Sequence, residues 1–595
     1  MIAHIRNFAI IAHIDHGKTT LTDRILELAG VIERDSSHQR VMDSNPIEQE
    51  RGITIKLAPV NFPYPLAGQT YQLNLIDTPG HVDFGYEVSR SLAACEGVML
   101  VVDASQGVQA QTLTNYHQAQ ELGLKVVPVI NKIDLPSADV ERTMLEVMDL
   151  CQVKDSEIVC VSAKTGQNVD QVLTAVIERI PAPSGDINLS LRALLISSYV
   201  DSHQGAIGLV KVVDGEIFAK QRLVFCADGS WFGSQSVGLF KPAMTVCDKL
   251  KAGQVGYVAT GLKDARLLKM GDTLTTFADR EKIVRLPGYL EPIPMVYLEV
   301  YPIDATQLGL LSDSLYKLSL ADAALQYTGT HSKALGNGFR IGFLGILHAE
   351  VALERLQREF DLDVIATPPS VTYLVKNKKG QQELISSPNQ LADPSLIEWI
   401  KEPMVMAQIY TPEQYLNACL KLCRDRRGQL KSTQSFGSQM LILSQLPLAE
   451  LITDFHDTLK SLTSGYASMT YKKVGFEVAD VVRVDILLNL EQIDALSFLA
   501  VRAQAEYRGR RFVEKLKEIL PRQQFTVPIQ ASIGGKVIAR ETLQSFRKDV
   551  TAKLYGGDVT RRKKLLAKQI KGKKRMKQFG KLQLDQDVFI QLLKQ

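Results

Sequence analysis

The feature that most restricts the fold of this sequence is a short turn between an apolar run and a helical pattern near the N-terminus. Residues Phe8–Ala12 are apolar and predict a buried strand, and Leu21–Leu28 has the periodicity of a helix. Gly17, Lys18 and Thr19 lie between them, in the order that closes a phosphate loop. Because a helix N-terminus attracts anions, this strand, turn and helix predict an α/β domain that binds a nucleotide.

Each part of the loop has a predicted task. Backbone N–H groups wrap the β-phosphate, Lys18 bridges the β- and γ-phosphates, and the Thr19 hydroxyl binds Mg²⁺. Such loops normally begin with glycine, whereas this one begins with Ala12. The predicted phosphate-binding residues are Asp15, His16, Gly17, Lys18, Thr19 and Thr20.

Two further segments predict a sensor for the γ-phosphate. Asp77–Gly80 follows a strand, so that Asp77 can hold the Mg²⁺ shell through water and the Gly80 N–H can meet the γ-phosphate. Arg51–Thr54 lies upstream, where a mobile loop brings Thr54 onto Mg²⁺. A loop of this kind orders with the triphosphate and is released after hydrolysis, which is how a nucleotide switch works.

Two later segments select the base. Asn131, Lys132 and Asp134 follow the strand Val126–Ile130, and the Asp134 carboxylate can accept two hydrogen bonds from guanine. Adenine offers no such pair and leaves the carboxylate unsatisfied, so the motif favours GTP over ATP. Ser162, Ala163 and Lys164 follow a further strand and are expected to close over the base.

His81 is the predicted catalytic residue because it directly follows the γ-phosphate contact at Gly80. Its ring could orient the attacking water, although a lone loop histidine is more often merely solvated. Ile14 and Ile53 could form an apolar gate that keeps the ring away until a partner moves it. No arginine is obviously placed to act as a finger from within the chain, so slow turnover and an activating partner are expected.

Changes in residue pattern along the chain predict a multidomain protein. A chain of 595 residues is too long for one core. Short buried runs alternating with helices indicate a parallel sheet, β-branched runs separated by Gly and Asp indicate a β-barrel, and later strands flank amphipathic helices. The predicted domains are 1–185 (nucleotide-binding), 188–282 (β-barrel), 290–372 and 400–482 (two α+β domains, separated by a loop that contains Lys376–Gly380), and 483–595 (a basic C-terminal domain).

Composition indicates a soluble protein of a reducing cytosol. The seven cysteines have no paired-ligand spacing, and Cys419 and Cys423 are predicted to pack in a helix. No apolar run is long enough to span a bilayer, and the N-terminus enters a strand without room for a signal peptide. Residues 501–595 hold 24 basic and 8 acidic side chains, a net charge of +16, so the rest of the chain carries −12. The basic end predicts a polyanionic partner.

Three motifs together resemble those of a known family. Ala12–Thr20, Arg51–Ile55 and Asp77–His81 are similar to the nucleotide-site motifs of translational GTPases. The resemblance implies GTP/GDP and Mg²⁺ as ligands, the ribosome as partner, ribosomal RNA as the trigger of His81, a β-barrel after the first domain, and ferredoxin-like α+β domains. Only about 30 residues separate the two α+β units, too few for the extra domain of a translocase.

The C-terminus narrows the resemblance to the LepA (elongation factor four) family. Tyr555–Leu566 and Lys571–Lys577 resemble the tail of that family, as do Pro521–Phe525 and Gly465–Ser468, and Leu554 replaces a cysteine common there. Membership implies tRNA contact, movement of tRNAs from the post- to the pre-translocation state, and support of accurate synthesis under stress. It also implies a monomer of the bacterial cytoplasm with no DNA partner, able to associate peripherally with the inner face of the cell membrane.

The tail also predicts RNA contact on physical grounds, because residues 561–581 hold eleven Lys and Arg and no acid. A solvated helix face or a disordered tail is the alternative interpretation. The predicted RNA-contacting residues are Tyr555, Arg561, Arg562, Lys563, Lys564, Lys573, Lys574, Arg575 and Lys577.

Two other functions remain open at this point. One is a BipA-like ribosome-associated GTPase, which would bind ribosomes without reversing translocation. The other is a nucleotide-gated RNA- or membrane-binding module with little turnover.

Overall fold

The structure is a computed structural model. It describes residues 2–13, 15–32, 57–78, 85–201, 204–241, 243–262, 267–268, 270–286, 294–322, 324–332, 335–367, 369–436, 439–520, 526–546, 559–560 and 563–569.

The first domain is built on a six-stranded sheet in the order β2-β3-β1-β4-β5-β6. Only β2 runs antiparallel to its neighbour. Valine and isoleucine runs fill the central strands because both faces are covered by helices. The strands are β1 Ile5–Ala12, β2 Ala58–Leu66, β3 Gln69–Asp77, β4 Gly97–Asp103, β5 Lys125–Asn131 and β6 Val159–Cys160. The helices are α1 Lys18–Leu28, α2 Gly85–Ala93, α3 Ala110–Glu121, α4 Val140–Cys151 and α5 Val169–Arg179.

An antiparallel β domain follows, with eight strands in the order β11-β10-β16-β7-β8-β15-β12-β13 and a separate pair β9-β14. These strands wrap around one apolar core that includes Phe225 and Phe232. The strands are β7 Arg192–Asp201, β8 Gly205–Asp214, β9 Glu216–Phe218, β10 Arg222–Phe225, β11 Trp231–Gly233, β12 Ser236–Lys241, β13 Ala243–Cys247, β14 Lys249–Lys251, β15 Val255–Ala259 and β16 Thr273–Thr276. β11 and β13 are the edges of the sheet in the described part of the chain.

The first α+β unit has the order β18-β19-β17-β20, with two helices that each connect strands of the sheet. Its chain order, strand-helix-strand-strand-helix-strand, is the ferredoxin-like arrangement. The elements are β17 Val296–Pro302, α6 Leu308–Ala321, β18 Gln326–Ser332, β19 Gly336–Phe343, α7 Ile346–Phe360 and β20 Val364–Ala366. The second helix ends at Phe360, and Asp361 follows it with φ 51°.

The second α+β unit repeats this order and adds a hairpin at one edge. β24-β25-β23-β26 form its core, and β22-β21 extend the sheet along the start of β23. The elements are β21 Tyr373–Asn377, β22 Gln382–Ile385, β23 Ile397–Pro412, α8 Leu416–Asp425, β24 Gln429–Phe436, β25 Gln439–Pro447, α9 Leu448–Leu462 and β26 Ser468–Val478. Cys419 and Cys423 are buried in α8 as free thiols, as predicted.

The expected loop at Lys376–Gly380 is therefore only partly a loop. Lys376 and Asn377 end β21, and the turn begins at residue 378. The strand forms because Tyr373 and Val375 are buried on one face, while Lys376 extends outward to Glu398 at 3.0 Å. The sheet of the second α+β unit thus begins at Tyr373, ahead of the predicted boundary at residue 400.

The C-terminal unit packs one long helix on a small antiparallel sheet in the order β28-β27-β30-β31, with β29 on β27. The elements are β27 Val481–Leu488, β28 Glu491–Gln492, β29 Phe498–Val501, α10 Arg502–Ile519, β30 Val527–Ile533 and β31 Lys536–Leu543. Residues 563–569 are helical. In the described ranges, no helix combines the length and apolar character needed to cross a membrane.

Candidate nucleotide-binding site

The loops after β1, β3, β5 and β6 meet at one edge of the first sheet. Gly17 begins α1 with φ 90°, and a Cβ placed on it would lie 2.4 Å from Asn131 Nδ2. The Asn131 amide donates to the His16 carbonyl at 3.0 Å, and its oxygen accepts from the Ala163 N–H at 3.0 Å. One buried asparagine therefore joins the phosphate loop to the predicted base loop.

Lys18 lies beside the predicted magnesium ligand. Its Nζ is 3.0 Å from Asp77 Oδ1 and also donates to the Thr78 carbonyl. Asp77 is fully buried, and the Thr78 hydroxyl donates to the Ile10 carbonyl at 2.8 Å. A cation and a carboxylate are thus held together where the phosphates and the metal are expected.

A magnesium ion fits the oxygen donors of this edge. Mg²⁺ prefers few carboxylates, some waters and phosphate oxygens, and the Asp77 carboxylate with the Thr19 hydroxyl is a set of this kind. Thr19 is partly buried in the first turn of α1, and Thr20 beside it is exposed. In the described part of the chain there is no cluster of three or more His, Cys, Asp or Glu side chains suited to a metal.

Lys132 contacts the phosphate loop from the side. Its Nζ donates to the Asp15 carbonyl at 2.5 Å and lies 2.8 Å from Asp103 Oδ2. Burial acts to raise the pKa of Asp103, but hydrogen bonds from Lys132 and Ser105 outweigh it and lower that pKa. Asp103 is therefore an anion that holds Lys132 over the loop, a role that its sequence position after β4 did not reveal.

The base loop is held by two contacts. Ser162 Oγ donates to Asp134 Oδ1 at 2.7 Å, which fixes the exposed carboxylate predicted to read guanine. Arg24, on α1, donates to the carbonyls of Ala163 at 3.1 Å and Lys164 at 3.0 Å. Sequence reasoning missed Arg24, because nothing in a helix-surface arginine points to a loop 139 residues away.

The His16 side chain is buried beneath the phosphate loop. Its ring is fully buried, and Nδ1 accepts the Asp103 N–H at 3.2 Å. The ring centroid lies 5.1 Å from that of His13. Burial, then repulsion by His13, lowers the pKa of His16 to about 3, so the ring is neutral. Only the His16 backbone is left for the predicted phosphate contact.

Several predicted site residues lie outside the described residues and stay predictions. They are Ile14, Ile53, Thr54, Gly80, His81, Tyr555, Arg561, Arg562, Lys573, Lys574, Arg575 and Lys577. Lys563 and Lys564 are described and lie exposed in the helical stretch 563–569.

Comparison with known proteins places these features in context. Residues 3–182 match the model of the elongation factor Tu GTP binding domain, residues 399–487 that of the elongation factor G C-terminus, and residues 488–594 that of the GTP-binding protein LepA C-terminus. The chain is 48% identical over 592 residues to elongation factor 4 of Desulfitobacterium hafniense, covering 99% of this chain and 98% of that protein.

A solved structure shows a similar fold. A crystal structure of a protein from Thermus thermophilus aligns with a TM-score of 0.55 and 16% identity, covering 80% of this chain and 97% of the other. This likeness supports the multidomain arrangement of α/β and β-rich units alone.

Proposed function

Because this chain belongs to the elongation factor 4 (LepA) family of translational GTPases, we propose that it binds the ribosome with GTP and moves tRNAs from the post- to the pre-translocation state. It is a GTP hydrolase that acts in translation and depends on the ribosome. The finer proposal includes contact of the basic tail with tRNA, action as a monomer in the cytoplasm, and peripheral contact with the cell membrane.

The observation that carries the proposal is the Asn131 bridge between the phosphate and base loops. One side chain joins both loops, which supports a proposal that they bind the base and the triphosphate of one nucleotide. In this proposal Lys18, which lies 3.0 Å from Asp77, neutralises the β- and γ-phosphates, Thr19 binds Mg²⁺, and Asp77 holds the Mg²⁺ shell through water. The metal, when bound, neutralises charge on the phosphate oxygens. We propose His81 as the residue that orients the attacking water.

Replacing Asp134 by Asn tests the base-reading role. An amide presents a donor where guanine also donates, so GTP affinity should fall roughly 100-fold or more, while xanthosine triphosphate should bind better. Affinity is measured by displacement of a fluorescent GDP, and turnover by phosphate release with ribosomes. Asp139→Asn is the control, since Asp139 is an exposed carboxylate that caps α4 through the Arg142 N–H at 3.1 Å.

Replacing His81 by Ala tests the chemical step in the same assay. Ribosome-stimulated phosphate release should disappear while the affinity for GTP stays nearly unchanged. Unaltered stimulation by ribosomes in His81→Ala would remove this residue from the mechanism. Absence of any stimulation in the unmodified protein would favour the nucleotide-gated binding module.

The tail proposal has its own test on ribosomes. Lys563→Glu with Lys564→Glu should weaken the return of tRNAs to the pre-translocation state, measured by the position of the ribosome on mRNA. GTP binding should be unaffected, because neither lysine belongs to the described nucleotide loops. Normal ribosome binding without reversal in the unmodified protein would favour the BipA-like alternative.

A further inference from the structure

A second group of functional side chains lies on the β domain, away from the nucleotide loops. Trp231, on the edge strand β11, is 54% exposed, and Phe277, directly after β16, is 39% exposed. Rings of this size are usually largely buried. Two of them on one outer face therefore need an explanation that core packing does not supply.

Strand register brings an arginine between the two rings. Arg222 on β10 lies opposite Gly233, which has no side chain, so the guanidinium can lean along the strand. Its Cζ is 4.2 Å from the Trp231 ring centroid and 5.4 Å from that of Phe277. Arg280 lies over Phe277 at 4.2 Å. We call Trp231, Arg222, Phe277 and Arg280 the aromatic–arginine row.

The aromatic–arginine row lies on the face of the sheet opposite the main core of the β domain. The alternate residues Leu223, Phe225 and Phe232 point into that core and are buried. An exposed cation–π pair contributes only about 0.5–1 kcal/mol. No carboxylate lies within 4.0 Å of Arg222 among the described residues, and its guanidinium contacts the Trp231 and Phe277 rings.

Charge around the row favours an anionic partner. Lys282 and Arg285 are exposed after Arg280, and Lys220 is exposed before Arg222. Three acids lie nearby: Asp228 and Asp279 accept from Ser230 and Thr276 in turns, and Glu281 pairs with Arg280 at 3.2 Å. The five basic side chains Lys220, Arg222, Arg280, Lys282 and Arg285 outnumber these acids, and a phosphate would replace Glu281 at Arg280. Guanidinium groups neutralise phosphates, and the indole face offers a stacking surface that tolerates any base.

We propose that the aromatic–arginine row binds RNA with an unpaired base, which stacks on Trp231 while Arg222 and Arg280 contact the flanking phosphates. Single-stranded RNA has both the exposed π-faces and the charge that this row complements. Aromatic and arginine side chains are also frequent in protein interfaces, and a protein partner would be recognised by quenching that RNA does not produce. The proposed function is needed only to identify this RNA as ribosomal.

A fluorescence titration tests the site without ribosomes or GTP. The chain has two tryptophans, so Trp399→Phe leaves Trp231 as the only indole. In this variant, an oligoadenylate of about eight nucleotides should quench the emission of Trp231 saturably. Inorganic polyphosphate of equal charge should not quench it, since it has no base to stack.

Two substitutions in the same background decide the role of the row. Arg222→Gln should weaken the oligoadenylate at least 5-fold, judged by the midpoint of the quenching curve. Arg511→Gln is the control, because it removes one positive charge and a cation–π contact with the exposed Tyr507 on α10 at 5.8 Å. It should leave the midpoint within twofold, and circular dichroism should confirm that both variants are folded.

Three results would overturn the proposal. They are the absence of quenching by the oligoadenylate, equal quenching by polyphosphate, and equal weakening by both substitutions. Quenching by isolated ribosomal proteins but not by RNA would identify a protein surface instead. None of these results depends on the GTPase activity, so the failure of this site and that of the proposed function are distinguishable.

Discussion

At the scale of single residues, the nucleotide loops depend on space as much as on hydrogen bonds. Gly17 lets Asn131 approach the phosphate loop, because hydrogen replaces a side chain at the point of contact. Asn131 can then reach His16 on one side and Ala163 on the other. A glycine and an asparagine separated by more than 100 residues therefore form the contact that connects the phosphate loop to the base loop.

Gly17→Ala should weaken nucleotide binding at least tenfold, because the new Cβ would lie 2.4 Å from Asn131 Nδ2 and must displace it. The cost to stability should be about 1–3 kcal/mol, from the clash and the φ of 90°. Fluorescent GDP binding measures the first effect and thermal unfolding the second. Gly30→Ala is the control, since Gly30 also has a positive φ of 68° but open space around it.

The control separates the effect of backbone strain from the effect of displacing Asn131. Gly30→Ala should lose about 1 kcal/mol of stability and keep its affinity. Equal affinities in the two variants would mean that Asn131 does not need its present position to bind nucleotide.

Sequence patterns could predict the site residues whose chemistry is local. Lys18, Asp77, Asn131 and Asp134 follow strands at fixed offsets, and the structure brings their loops together. Arg24 and Asp103 could not be predicted in this way, because their roles arise from distances between elements far apart in the chain. The burial of the His16 ring could not be predicted either, because the loop motif assigns its residues backbone contacts with phosphate and does not place their side chains.

At the scale of elements, a buried ion network holds the second α+β unit together. Arg427, in the turn after α8, donates to both oxygens of Glu402 on β23 at 2.8 Å and to Glu450 on α9 at 3.1 Å. Arg508 on α10 reaches Glu450 at 3.3 Å. The Glu402 and Glu450 side chains are only 6% and 2% exposed, so the network links four elements across two units through buried carboxylates.

Arg427→Met should destabilise the protein by about 3–5 kcal/mol, because it leaves two buried carboxylates without their main partner. Thermal unfolding followed by circular dichroism measures the loss. Arg502→Met is the control: Arg502 pairs with Asp480 at 2.7 Å, but the two side chains are 60% and 62% exposed. Removing that pair should cost less than about 1 kcal/mol.

Similar losses in the two variants would show that burial does not set the strength of the Arg427 network. A loss in Arg427→Met that disappears when Glu402 and Glu450 are both replaced by Gln would support the assigned cause, since the unpaired charges would then be absent.

Strands and helices could be predicted where the sequence has long apolar runs or a clear spacing of apolar residues. The runs of β4 and β5 are almost wholly apolar and predict central strands, and α7 shows a clear helical period that ends at Phe360. The hairpin β21–β22 was less predictable, because its turn is rich in Lys, Asn and Gly and half of β21 faces solvent. Its pairing with β23 joins separate segments of the chain, and local composition does not predict such a pairing.

At the scale of the whole molecule, a row of buried asparagines joins the first domain to the β domain. Asn61 on β2 donates to Asn74 at 2.7 Å and to the Val255 carbonyl at 2.9 Å, and it accepts from the Phe240 N–H at 2.7 Å. Asn74 donates to Asn7 at 2.6 Å, and Asn7 donates to the Gly253 carbonyl at 3.1 Å. Side chains of the first domain therefore satisfy buried backbone groups of the β domain.

Asn61→Leu should loosen this interface, because the Phe240 N–H and the Val255 carbonyl lose their partner inside the protein. Each unsatisfied buried group costs about 1–3 kcal/mol. Calorimetry should show the β domain unfolding in a transition separate from and earlier than that of the first domain. Gln72→Leu is the control, since Gln72 is only partly buried and its contact with Asn74 is 3.5 Å long.

A single calorimetric transition at the original temperature in Asn61→Leu would contradict the role given to the asparagine row. Early unfolding in Gln72→Leu as well would mean that added apolar bulk, and not the lost hydrogen bonds, weakens the interface.

The number and the order of the structural units could be predicted from the sequence, because each unit has its own composition and its own spacing of apolar residues. It did not predict how the first two are joined. Asn7, Asn61 and Asn74 lie within strands that are otherwise apolar, and their purpose becomes visible only when the two sheets face each other. Contacts between domains depend on a few polar side chains that no local pattern distinguishes.

Strand β1 connects the asparagine row to the phosphate loop. Asn7 stands at the seam with the β domain, and Ala12, five residues along the same strand, is where the phosphate loop starts. A strand rises about 3.3 Å per residue, so roughly 17 Å of stiff backbone connects the seam to the loop. Residues 5–12 form one continuous strand, so a displacement of the β domain at Asn7 is expected to reach the start of the phosphate loop at Ala12.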